Sequence, residues 1–84
     1  MKKISILIPA YNEEKTIERV IKVVTAIKIP NYKKEIIIVN DASTDSTDIL
    51  LNKLRKSNDF ILINHKKNSG KGAAVITALK KASG

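Results

Sequence analysis

The sequence predicts an α/β fold in which three parallel strands, in the spatial order 3-2-1, are each followed by a helix. Three short and nearly unbroken aliphatic runs, at residues 4–8, 35–39 and 60–63, are typical of parallel strands covered on both faces. A segment with helical periodicity follows each run, so the chain consists of three successive βα units. Right-handed crossovers between such units allow the order 3-2-1.

The helices are predicted from apolar residues that recur three or four positions apart. These residues are Ile17, Val20, Ile21 and Val24 after the first strand, Ile49, Leu50 and Leu54 after the second, and Val75, Ala78, Leu79 and Ala82 after the third. Asn12 is a candidate cap for the first helix, with Glu13 and Glu14 in its first turn. Residues 28–34 contain Pro30 and predict a loop.

The composition indicates one small domain without disulfide bonds or a thiolate metal site. The chain has 84 residues and no cysteine, and no apolar run approaches the roughly 20 residues of a membrane span. We therefore expect a cytoplasmic protein. The formal net charge of +8 suits nucleic acid, an anionic membrane or a phosphorylated small molecule, but the lysines are scattered along the chain.

Polar residues follow each of the three predicted strands. The segments are PAYNE at residues 9–13, NDASTDST at 40–47 and NHKKNSGKG at 64–72. Because ligands bind at the carboxyl ends of the strands in open parallel sheets, these segments predict the walls of one site.

Within the second segment, Asp41 is the strongest candidate for a ligand contact. Its carboxylate can accept hydrogen bonds from a nucleobase or a ribose. Asp45 or Ser43 can cap the second helix, and either Asn40 or Asp41 can form an Asx turn, which leaves the other for function. In the third segment, a lone histidine among polar neighbours, His65, is expected to face solvent as an ordinary loop residue.

The glycines of the third segment match neither common phosphate motif. A dinucleotide fingerprint starting at Gly70 would place its third small residue at Val75, and a phosphate loop would need Ser or Thr at Gly72. Lys71, flanked by glycines at a helix amino terminus, still suits an anion, although a lysine pointing into water is the alternative.

The order and spacing of IPAYNEE, IIIVNDASTDST and NSGKG resemble the amino-terminal half of the family 2 inverting glycosyltransferases. The likeness spans essentially the whole chain and is nearest to the dolichyl-phosphate mannose synthase-like and undecaprenyl-phosphate glycosyltransferase branch. It implies a Rossmann-like GT-A fold that binds a nucleotide-diphosphate sugar, such as a UDP- or GDP-sugar. The acceptor implied is a polyprenyl phosphate or a glycan, which would place the full-length protein at the cytoplasmic face of a membrane.

The resemblance also assigns nucleotide-binding roles to individual residues. It implies that the first segment lines the base and ribose, that the end of the second strand holds the base, and that a lysine lies towards the phosphates. The residues concerned are Pro9, Ala10, Tyr11 and Glu13 in the first segment, Val39 and Asp41 in the second, and Lys71 in the third.

The chain lacks the residues that the resemblance associates with chemistry. The acidic pair often found after the second strand is Asn40 and Asp41 here, and no Asp or Glu follows Asp59. We therefore expect residues 1–84 to be a domain truncated before the Asp-x-Asp motif, with no catalytic or metal-binding residue. The resemblance implies Mg²⁺ or Mn²⁺ for the full-length enzyme, whereas this chain alone is expected to be inactive and metal-free.

Two other interpretations remain open at this stage. A basic α/β chain suits a module that binds nucleic acid or an anionic surface, although it has three aromatic residues for stacking and no basic helix face. A receiver-like or flavodoxin-like signalling domain also has its site at strand ends. We expect no nucleic-acid partner, and we expect self-association through the first strand, which lacks a neighbour on one side.

Overall fold

The structure is a computed structural model that describes residues 2–68 and 70–83, except for the side chain of Lys71. Its elements are β1 (Lys2–Ala10), α1 (Ile17–Ala26), β2 (Tyr32–Asn40), α2 (Thr47–Leu54), β3 (Ile61–Asn64) and α3 (Lys71–Lys81). No helix in these ranges is long and apolar enough to cross a membrane.

The three strands form one parallel sheet in the order β1-β2-β3, which confirms the predicted fold. Ala10 pairs with Asn40, and Asn40 pairs with Asn64. The carboxyl ends of the three strands are therefore level, and the three polar segments leave the sheet at the same edge.

The core has two layers because β2 is buried on both faces. On one face, Ile36 and Ile38 pack with Ile21 of α1 and Leu51 of α2. On the other face, a second cluster packs β2 against α3 and consists of Ile37, Val39, Ala74 and Ala78. Alternating side chains of one strand therefore hold helices on opposite sides of the sheet.

Two of the apolar residues from which the helices are predicted are exposed. Ile49 is 70% exposed and Leu79 is 58% exposed, whereas Leu51 and Ala74 are fully buried. In α2 the buried positions are 47, 51 and 54, so the helix turns residue 49 away from the sheet. In α3 the small side chains of Ala74 and Ala78 form the buried face, and Leu79 lies outside this face.

The strands extend further than the aliphatic runs. Tyr32 begins β2 and pairs with Lys2, so the second half of the predicted loop at 28–34 is strand. An aliphatic run does not reveal residues 32–34, because their side chains add nothing to it. Their backbone groups nevertheless pair, since β1 is equally long and supplies a partner at each position.

The predicted cap of α1 is wrong. The helix begins at Ile17, with Thr16 at its cap position, and Asn12 lies in a turn with a φ of 52°. Glu13 and Glu14 belong to this turn, because the carbonyl of Glu13 accepts hydrogen bonds from the N–H groups of Thr16 and Ile17. The first segment is thus a turn of its own before the helix.

Candidate functional site

A cavity of about 350 Å³ lies at the carboxyl edge of the sheet, beside the ends of β1 and β2. Five of the residues predicted to bind a nucleotide line it: Pro9, Ala10, Tyr11, Glu13 and Asp41. The volume lies within the range of small-molecule sites. Tyr11 is 42% exposed, and the side chain of Asp41 is almost completely buried, so the cavity combines an exposed aromatic residue with a buried acid.

Three further lining residues come from the third segment and from α3: Asn68, Gly70 and Ala74. They were not among the predicted site residues, although the segment that contains the first two was. The small side chain of Ala74 is fully buried in the first turns of α3. The cavity is therefore bounded by the segments after all three strands.

Hydrogen bonds join the first and second polar segments and hold them together at the cavity. The N–H of Asp41 donates to the carbonyl of Ala10 (2.8 Å). The N–H of Glu13 donates to the hydroxyl of Thr47 (2.7 Å), and the Asn12 side-chain oxygen accepts from the N–H of Thr44 (2.7 Å). Asn12 thus ties the two segments together instead of capping α1.

The Asp41 carboxylate is held by groups from the third segment. Its Oδ1 lies 2.7 Å from Nδ1 of His65, and its Oδ2 accepts the N–H of Gly70 at 2.9 Å. Gly70 has a φ of 89°, which favours glycine, so another residue would strain the backbone at this contact. The predicted solvent-facing position of His65 is wrong, because its ring contacts the central acid of the site.

The side chain of Asn40 bonds to Ser43, three residues further along the chain, and not to the N–H two residues on that an Asx turn uses. Its side-chain oxygen accepts from the N–H and the hydroxyl of Ser43. Its amide nitrogen donates to Asp48 and to Asn64, both at 3.1 Å. An amide supplies the donors and acceptors that this buried position needs, whereas a carboxylate could not donate. Asn40 therefore braces the site.

Asp45, not Ser43, holds the start of α2. Its carboxylate accepts the N–H of Thr47, the first residue of the helix, at 2.9 Å. Burial raises the pKa of Asp45. Hydrogen bonds, first those from the side chain and backbone of Thr47, lower it by more, so the pKa lies below the ordinary value.

The remaining two predicted site residues are Val39 and Lys71. The side chain of Val39 is fully buried in the core under α3. Any contact from this residue to a ligand would have to involve its backbone. The predicted phosphate role of Lys71 rests on a side chain outside the described part of the structure, although the residue begins α3 beside the cavity.

The part of the chain that the structure describes contains no cluster of three or more His, Asp or Glu side chains suited to a metal ion. The divalent metal implied for the full-length family therefore finds no fitting set of ligands among these residues. The site that they form is suited to hydrogen bonding and stacking.

Comparison with known proteins shows the family of the chain. The model for glycosyl transferase family 2 matches residues 5–84. Poly-β-1,6-N-acetyl-D-glucosamine synthase of Staphylococcus aureus is 44% identical over 80 residues, which are 95% of this chain and 19% of the synthase. The chain thus spans about a fifth of the length of this relative.

Solved glycosyltransferases share the fold. The structure of S. aureus TarS 1–349 in complex with UDP-GlcNAc matches with a TM-score of 0.84 and 33% identity, over 100% of this chain and 24% of TarS 1–349. Mannosyltransferase PcManGT from Pyrobaculum calidifontis, in complex with GDP-Man and Mn²⁺, matches with a TM-score of 0.84 and 28% identity, over 94% of this chain and 24% of that enzyme. The three-stranded sheet and its helices correspond to part of a GT-A fold.

The family match covers nearly the whole chain, and the segments that border the cavity all lie inside it. This result favours the glycosyltransferase interpretation over a nucleic-acid module or a signalling domain. The chain belongs to glycosyl transferase family 2.

Proposed function

We propose that this chain forms the nucleotide-binding half of an inverting glycosyltransferase whose donor is a UDP-sugar, with UDP-GlcNAc as the first candidate. The observation that carries the proposal is the buried Asp41 carboxylate at the wall of a cavity that also presents the exposed ring of Tyr11. The choice of donor is supported by the synthase named for N-acetyl-D-glucosamine and by the TarS complex with UDP-GlcNAc.

Each wall of the cavity has a role in this proposal. The Asp41 carboxylate accepts an N–H of the base, and the Tyr11 ring packs against the base face. Pro9, Ala10 and Glu13 border the base and ribose. Val39 shapes this end of the strand from within the core. Lys71, at the start of α3, neutralises the diphosphate together with the positive end of the helix.

The reaction proposed for the full-length enzyme is a single displacement with inversion at the anomeric carbon. The acceptor hydroxyl or phosphate attacks the sugar, and the nucleoside diphosphate leaves. The contribution of this chain is to bind and orient the leaving nucleotide. A growing glycan is the favoured acceptor, given the 44% identity to a polysaccharide synthase, and a polyprenyl phosphate at the cytoplasmic face of the membrane is the competing one.

Titration calorimetry of the purified chain with UDP, GDP and pyrophosphate tests the proposal. We expect UDP to bind more tightly than pyrophosphate. Asp41→Ala should weaken UDP binding at least about tenfold, because the base loses a charged acceptor. Asp59→Ala is the matched control, since it removes the same charge from an exposed residue at the opposite edge of the sheet.

The outcomes discriminate between ligand classes. Equal weakening by Asp41→Ala and Asp59→Ala would show that overall charge, and not the cavity, binds the nucleotide. Tighter binding of GDP than of UDP would support the proposed site but would replace the UDP-sugar by a GDP-sugar as the proposed donor. Lys71→Ala should weaken UDP more than uridine, and equal loss for both would remove Lys71 from the phosphate role.

We expect no turnover by this chain alone, and this expectation has its own measurement. Purified chain with UDP-GlcNAc and a glycan or lipid phosphate should release no nucleotide above background, with or without Mn²⁺. Metal-stimulated release would contradict it, because the described residues contain no metal cluster to support it.

A further inference from the structure

His65 connects the central acid of the site to α3. Its Nδ1 lies 2.7 Å from Oδ1 of Asp41, and its Nε2 lies 2.9 Å from the hydroxyl of Thr77. The ring is half-buried and the carboxylate is buried. The backbone N–H of His65 also donates to the carbonyl of Asn40 at 2.9 Å. This bond continues the pairing of β2 with β3 and fixes the position of the His65 backbone.

The proton on Nδ1 faces Asp41 in either state of the ring. An ionised carboxylate only accepts hydrogen bonds, so Nδ1 must donate. In the neutral ring Nε2 then accepts from the Thr77 hydroxyl. In the charged ring Nε2 donates to Thr77, whose hydroxyl donates to the carbonyl of Ala73 at 3.1 Å. Both arrangements satisfy the ring and keep it oriented towards the carboxylate.

We infer that His65 is a positioning residue that fixes the Asp41 carboxylate in the orientation needed to recognise the base. This inference rests on the proposed function and adds the residue that makes the acid selective. His65 acts on Oδ1, while the N–H of Gly70 holds Oδ2. Because both oxygens are held, the plane of the carboxylate is fixed before a nucleotide binds. Less conformational entropy of the Asp41 side chain is then lost on binding.

Two substitutions at position 65 separate positioning from folding. His65→Leu removes the donor, and we expect it to weaken UDP about tenfold while leaving pyrophosphate unchanged. His65→Asn keeps a nitrogen donor at nearly the place of Nδ1 and should recover most of the UDP affinity. Thr25→Val controls for loss of a helical threonine hydroxyl away from the site, and Thr77→Val should have a smaller effect than His65→Leu.

A second readout does not depend on ligand binding. His65 is the single histidine of the sequence, so its ring nitrogens are identified directly in a ¹H–¹⁵N correlation spectrum. In the neutral ring we expect the proton on Nδ1, and Asp41→Ala should move it towards Nε2.

Selective loss of UDP with rescue by asparagine, together with the Nδ1–H ring, would support the inference. Equal loss of UDP and pyrophosphate in His65→Leu, or an Nε2–H ring in the unmodified chain, would overturn it. If the unmodified chain binds no UDP, the proposed function fails, and the ring proton still decides whether His65 donates to Asp41.

Discussion

Ala42 follows the central acid of the site and has a φ of 57°, in the left-handed region that residues with a Cβ rarely adopt. The chain bends at this point, and the N–H and hydroxyl of Ser43 both donate to the side-chain oxygen of Asn40. The strained backbone therefore accompanies the turn that presents Asp41 to the cavity. Strain of this kind is common at binding sites.

Replacing Ala42 with glycine should stabilise the fold. The substitution relieves a conformational cost of roughly 1–2 kcal/mol, and part of this gain is lost to the greater freedom of glycine in the unfolded chain. We expect a net increase of about 0.5–1 kcal/mol in the free energy of unfolding, measured with urea. Ala73→Gly, in the regular helix α3, should lower it by about 1 kcal/mol. Destabilisation by Ala42→Gly would refute the assigned strain.

At the scale of single residues, the sequence predicted Asp41 as a residue of the candidate site but did not predict its contact with His65. An acid directly after a buried strand is recognisable because the chemistry and the position agree. His65 lies 24 residues from Asp41 and 12 from Thr77, so no local pattern shows the contact. The available signal was the strand register: if Asn40 pairs with Asn64, the next residues of the two strands are neighbours.

Lys34 is a structural cation at the end of a helix. Its Nζ donates to three carbonyl oxygens, those of Val24, Thr25 and Ile27, at 2.7, 2.8 and 2.8 Å. The last carbonyls of a helix have no partner within it and carry partial negative charge. The β2 lysine therefore provides the carboxyl-terminal cap of α1.

Lys34→Met should lower the free energy of unfolding by about 1 kcal/mol, because the α1 carbonyls lose a charged donor while the aliphatic stem is kept. Lys33→Met is the matched control, since Lys33 is an exposed neighbour in the same strand. Chemical denaturation of both variants measures the difference. An equal free energy of unfolding in the two variants would mean that the ammonium group of Lys34 does not stabilise the end of α1.

At the opposite edge of the sheet, Glu35 of β2 contacts Ser5 and Lys3 of β1 and Ser83, which follows α3. The Ser83 hydroxyl and N–H lower the pKa of its carboxyl below the ordinary 4.5, burial opposes this, and the Ser5 hydroxyl and the charge of Lys3 lower it further. A depressed pKa contributes stability above the unfolded value and loses it as the pH falls through the folded value.

We therefore expect the free energy of unfolding to fall as the pH is lowered below 4.5. The fall should be shallower in Glu35→Gln, which has no carboxyl to protonate, and in Ser83→Ala, which lacks the main donor. Urea unfolding at a series of pH values measures the slopes. A slope unchanged in both variants would contradict the assigned contribution of Glu35.

At the scale of elements, the sequence predicted the three βα units and their order but not all the helix faces. Aliphatic runs identify parallel strands because both faces are buried. The buried face of a short helix is less certain, because apolar residues such as Ile49 and Leu79 also lie outside it. The strand ends were also missed, since pairing of backbone groups places no demand on the side chains of Lys2 or Tyr32.

At the scale of the whole molecule, β1 is an edge of the described sheet and pairs with β2 alone. Residues 4–9 are all half-buried and mostly aliphatic, and the strand is flanked by two lysines at its start and a proline near its end. A long edge of this kind can pair with another chain. We expect the chain to form a two-fold dimer in which β1 pairs with its symmetry mate.

Ile6→Lys, at the centre of β1, should convert this dimer to a monomer because it places a charge in the paired strand. Ile49→Lys makes the same substitution on an exposed position of α2 and should leave the dimer intact. Sedimentation velocity measures both. A well-folded monomer of the unmodified chain at high micromolar concentration would contradict the expected association.

The central claim is that the cavity at the carboxyl edge of the sheet binds the nucleotide of a nucleotide-sugar. Amide chemical shifts during titration with UDP-GlcNAc test it directly, since they report the location of binding even when it is weak. The account predicts the largest changes at Tyr11, Glu13, Asp41 and Gly70, which line the cavity. Changes concentrated at the opposite edge, around Lys33 and Asp59, would contradict it.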